Sequence, residues 1–176
     1  MNTAIPVPAD AVPAPRQLGL RLLLAVVALL EAYNALSVVS DLFIAGHKAS
    51  GLDGAIARAH LAVHPVLALA ALLFALIGRL RDAIIVLGAL VLVTWLNEMT
   101  SVVRHGLEFG SSYTAIQTTA QIIAFPLIAA CAIAYAARDQ RTGIAAVLVS
   151  IPSLFTVLFH AVSVVVFAIS VMMYGF

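Results

Sequence analysis

Apolar residues run through this chain in long blocks, broken at only a few places by polar ones. Crossing a hydrocarbon core as a helix takes about 20 residues. Five blocks are long enough, at about 18–44, 56–78, 82–104, 114–137 and 143–172. The last is longer than a perpendicular span requires, so it must tilt, kink at Pro152 or protrude. Ahead of the first block, MNTAIPVPADAVPAPR holds four prolines and little that packs, which predicts a flexible tail over 1–17. The fold class that follows is all-α: a polytopic membrane protein with a five-transmembrane-helix bundle over 18–176.

Composition supports that class. Of 176 residues, 64% are hydrophobic and 10% charged, too few polar side chains to cover a soluble domain. A net charge of +1 with no basic run argues against nucleic acid as a partner and leaves the lipid bilayer. The single cysteine, Cys131, rules out an intrachain disulfide and reads as a small helix-packing residue. Leu22 to Leu30 resembles the apolar core of a secretory leader, but apolar character resumes after Glu31 and runs to Ala45, too long for one.

Basic residues set the expected orientation. Arg16, Arg21, Arg79, Arg81, Arg138 and Arg141 all fall on one side of five spans, whereas Lys48, Arg58 and Arg104 fall on or near the other. The positive-inside bias then puts the N-terminus in the cytoplasm of an inner-membrane protein and the C-terminus outside. With that orientation all five histidines and five of the eight acids (Glu31, Asp41, Asp53, Glu98 and Glu108) lie near the midplane or in the outer half.

Within each span the polar residues recur at steps of three and four, which stacks them along one helical face. The stripes are Glu31, Asn34, Ser37 and Asp41; His60 and His64; Thr94, Asn97, Glu98, Ser101, Arg104 and His105; Thr114, Gln117, Thr118 and Gln121; and Ser153, Thr156, His160 and Ser163. Ionisable groups at membrane depth are costly and face a bundle interior or a wet cavity. The stripes therefore predict an outward-facing polar pocket. At a rise of about 1.5 Å per residue, Glu31 and His160 lie near the midplane and His64 roughly 5 Å outward. Asn97, Glu98 and Gln121 come next, with His60, Gln117 and Arg104 at the mouth.

Imidazoles on different helices at similar depth point first to a cofactor. His64 and His160 would be axial ligands of a b-type haem, with Arg58 and Arg104 on its propionates. Alternatively His60, His64, His160, Glu98 and Glu31 would hold a transition metal such as zinc or iron. The HxxxH of the second span lacks the glutamate of a metalloprotease motif. A second hypothesis is transport or proton relay, with the same carboxylates and imidazoles as protonatable steps and Asn34, Asn97, Gln117 and Gln121 holding ligand or water. The apolar inner half counts against a continuous pathway. A third is an accessory membrane subunit whose polar residues hold the bundle together against a partner subunit. Prolines 65, 126 and 152 would each leave a carbonyl four residues back without its helical donor, at Leu61, Ile122 and Leu148. Trp95, deep in the third span, reads as a space-filling residue.

Overall fold

A computed structural model describes residues 15–37, 51–107, 112–138 and 141–175. The tail up to residue 14, the predicted span end at 38–44, Asp41, His47, Lys48 and Glu108 lie outside the described residues. So do the side chains of Arg16, Asp53, His105 and Thr114. The described elements are α1 (Pro15–Ser37), α2 (Leu52–Leu76), α3 (Leu80–His105), α4 (Ser112–Thr119), a π-helical turn (Ala120–Ala124), α5 (Phe125–Ala137) and α6 (Thr142–Tyr174). There is no strand among the described residues. In hydrocarbon a backbone must satisfy its own polar groups, and a helix does so within one segment. Five helices are long and apolar enough to cross a membrane: Gln17–Ser37, Gly54–Leu76, Leu80–Arg104, Ala115–Ala137 and Thr142–Met173. The fourth joins α4, the π turn and α5. The protein is thus an all-α five-helix bundle with lipid-compatible outer faces.

The helices close into a ring in which α1 touches α2 and α6, and α5 lies between α3 and α6. α3 is the central helix, in contact with α1, α2, α5 and α6. One end of the bundle carries the arginines. Arg21 on α1 donates from Nη2 to the Leu76 carbonyl at the end of α2, 2.5 Å away. Arg81 on α3 donates in the same way to the Ala137 carbonyl ending α5, at 3.0 Å. Each cation therefore satisfies a terminal carbonyl at the negative end of a neighbour's helix dipole. Gly78 turns the chain between α2 and α3 at φ 83°, where a Cβ would also crowd the Arg21 guanidinium at 3.3 Å. Only glycine takes that conformation without strain.

Behind this arginine end the bundle is apolar and rich in small residues. Leu24, Val27 and Ala28 of α1 meet Ala71 and Ala75 of α2, Ala83, Ile84 and Leu87 of α3, Ala132 and Ala136 of α5, and Ala145, Ala146 and Val149 of α6. Membrane helices gain little from burying apolar surface away from lipid tails, so close packing of small residues holds them instead. Gly88 is the tightest point: a Cβ there would lie 2.6 Å from Cγ1 of Ile133 on α5.

Beyond Thr156, α6 leaves the bundle. Its 33 residues make about 50 Å at the standard helical rise. Val164, Val165, Val166, Phe167, Met172 and Met173 are all exposed. α6 stays α-helical through Pro152, whereas the fourth span absorbs Pro126 by opening into the π turn just before it.

Candidate functional site

Where the small-residue core ends, a polar belt begins. Its hub is the carboxylate of Glu31, which the sequence places two turns beyond Leu24 on α1. Ser153 on α6 donates from Oγ to Oε1 at 2.6 Å. His64 on α2 sets Nε2 3.3 Å from Oε2, and the His64 and Glu31 side chains are only 10% and 14% exposed. The serine bond is short and strong; the histidine contact is at the long end of hydrogen-bond range. A carboxylate and an imidazole in this arrangement share protons in more than one way. The proton resides on Nε2 facing an ionised carboxylate, or on Glu31 facing an unprotonated Nε2.

The belt continues from α2 to the fourth span. The His60 ring lies 5.1 Å from that of His64, centroid to centroid, and its Nε2 is 3.4 Å from Thr94 Oγ1 on α3. One residue on, the Trp95 indole donates from Nε1 to the Ile122 carbonyl at 3.0 Å. In an uninterrupted α-helix that carbonyl would take its bond from residue 126, and Pro126 has no N–H to give. α6, α1, α2, α3 and the π turn are thereby linked in order by side-chain hydrogen bonds at one depth, together with the His60–His64 ring contact. Trp95→Phe is expected to cost about 1 kcal/mol, the usual net worth of a part-buried hydrogen bond. The same substitution in a Pro126→Ala background should cost clearly less, because residue 126 then brings its own N–H. Thermal melts of the four proteins in one detergent check this, and an equal cost in both backgrounds would disprove it.

A cavity of ≈ 200 Å³ opens beside the belt. Its polar wall is Glu31, Asn34, His64, Thr94, Glu98, Gln121 and Thr156, and its apolar wall is Leu90, Val91, Trp95, Phe125 and Pro152. Each span supplies part of the lining. Glu98 makes no ion pair or hydrogen bond with another described side chain. No lysine or arginine is in the wall.

The predicted site residues divide into two groups. Glu31, Asn34, His64, Glu98 and Gln121 come together in the cavity wall, with His60 stacked behind His64. Asn97, Arg58, Arg104 and Gln117 are not in that wall. Nor is His160, whose exposed ring donates from Nδ1 to its own helix at the Thr156 carbonyl, 2.7 Å away. Among the described residues no three His, Cys, Asp or Glu side chains converge at metal-ligand distance. The structure adds Ser153 as the partner of Glu31 and Thr94 as that of His60. Both already sit in the sequence stripes, but nothing in the sequence pairs them. The bond from Trp95 had one advance signal, the carbonyl orphaned by Pro126. Comparison with protein-family models, curated proteins and solved structures gives no match, so the site is interpreted through its own geometry.

Proposed function

We propose that this is a proton-handling membrane protein in which Glu31 and His64 take up and release a proton at the wall of an aqueous cavity, with Glu98 as a second protonatable group. The observation that carries this reading is the Glu31 carboxylate itself. It is largely covered and accepts from Ser153 on one oxygen, while its other oxygen faces an imidazole that can hold or yield a proton. Buried ionisable groups in membrane helices mark proton relays and substrate pathways far more often than packing requires. With the arginine-bearing end in the cytoplasm, by the positive-inside bias, the cavity opens outward. The small-residue core then seals the cytoplasmic side, so a proton taken up from outside needs a conformational step to leave inward.

The haem alternative rests on His64 together with His160, and the metal alternative on His60, His64, His160, Glu98 and Glu31. His160 is exposed and outside the cavity wall, and His64 Nε2 lies 3.3 Å from Glu31 Oε2. Infrared titration of the purified protein separates the readings. The protonated-carboxyl stretch that grows in as pH falls should lose its Glu31 component in Glu31→Gln. In liposomes loaded with a pH-sensitive dye, Glu98→Gln should suppress proton uptake. A titration unchanged by Glu31→Gln would overturn the proposal, as would a haem absorption band or stoichiometric metal that disappears with His64→Ala.

A further inference from the structure

We infer that the cavity takes a small organic cation, an ammonium or amidinium group on a short carbon skeleton, held between Glu31 and Glu98 against Trp95 and exchanged for a proton. This rests on the proton-handling reading above and names its co-substrate.

Charge is the first argument. The wall contains two carboxylates and one imidazole, with no lysine or arginine. His64 can neutralise only one carboxylate, and its Nε2 lies against Glu31. Glu98 has no cationic partner among the described residues, although a charge at this depth is stable only when paired or wet. The missing positive charge is a proton in one state and a cation in the other.

The apolar part of the wall decides which kind of cation. Trp95 is held in place by its indole bond to the Ile122 carbonyl, and Phe125 by edge-to-face contact with Phe155 at 5.5 Å. Aromatic faces attract ammonium and guanidinium groups, tryptophan most strongly. Leu90, Val91 and Pro152 offer contact to carbon. An alkali-metal ion would gain nothing from these five residues, since it needs oxygen ligands on most sides. The cavity is small: ≈ 200 Å³ lies below the roughly 300–1,000 Å³ of pockets for drug-sized ligands. When the cation enters, the proton that balanced the second carboxylate leaves to water, so net charge in the cavity is conserved.

Trp95 is the chain's single tryptophan and lines the site, so its emission reports binding directly. Detergent-purified full-length protein would be titrated with tetramethylammonium and guanidinium, each against a neutral analogue of similar shape, tert-butanol and urea, and against sodium. The expected result is a saturable change in emission with both organic cations, weakened as pH falls, with proton release detected in weakly buffered solution. Glu98→Gln should bind at least about tenfold more weakly, and Glu98→Asp, which keeps the charge, should retain binding. Equal responses to the neutral analogues or to sodium would overturn the inference, as would no response to either organic cation. If no cation binds while Glu31 still titrates in the infrared, the cation class falls and the proton site stands. Cation binding without proton release would overturn the exchange.

Discussion

Glu31→Ala is expected to be among the most damaging single changes in the protein, costing about 3 kcal/mol or more. Removing the carboxylate leaves the buried Ser153 hydroxyl and His64 Nε2 without their partner. It also cuts the hydrogen-bonded links from α6 to α1 and from α1 to α2, which close the ring of helices. Glu31→Gln should behave differently. The amide oxygen still accepts from Ser153, and the amide nitrogen can donate to an unprotonated Nε2, so stability should fall by only about 1 kcal/mol. What the amide cannot do is hold a proton. The pair of substitutions therefore separates structure from function: alanine loses both, and glutamine keeps the fold while the Glu31 component of the infrared titration disappears. Thermal melts of both variants in the same detergent, beside that titration, check the split. Equal melting temperatures for the two variants would show that the carboxylate site has no structural share.

Gly88→Leu is expected to prevent assembly of a folded bundle, and Gly88→Ala to cost about 1–3 kcal/mol, the usual range for overpacking. A single methyl at this position meets Ile133 Cγ1 at 2.6 Å and Cδ1 at 2.9 Å, well inside van der Waals contact, with the Ala129 carbonyl behind at 3.5 Å. Cγ1 moves only with χ1, which a β-branched residue in a helix holds in one strongly preferred rotamer. α3 is the central helix, and moving it away from α5 would disturb the Trp95 bond to Ile122 a few residues along. Truncating the partner should rescue the variant: Gly88→Ala with Ile133→Ala should be more stable than the sum of the two single costs implies. A double-mutant cycle on melting free energies measures that coupling. Additive costs would show that the two residues do not limit the helix approach.

Much of this architecture is legible in the chain. Polar and apolar residues alternate in blocks of about bilayer length, and a lone segment in lipid has only the helix as a self-sufficient backbone structure. The sequence alone therefore determined an all-α bundle of five spans. It also determined which face of each span is polar: Glu31, Asn34, His64, Thr94, Glu98, Gln121 and Thr156, the polar wall of the cavity, all belong to stripes visible as steps of three and four.

Tertiary structure decided the pairings. Ser153 and Glu31 are separated by 122 positions and meet only because α6 packs on α1 to close the ring. Helical periodicity records a residue's face and depth within its own span, but not which span lies opposite. His160 shows the same limit from the other side. It shares a stripe with Thr156 one turn below, yet Thr156 is in the cavity wall and His160 is exposed, since α6 leaves the bundle between them. Gly88 reads in the sequence as an ordinary small residue, and its closeness to Ile133 arises where two helix axes cross. Face and depth come from local geometry that each segment carries alone. Partners come from how five such segments share one volume, which no segment carries by itself.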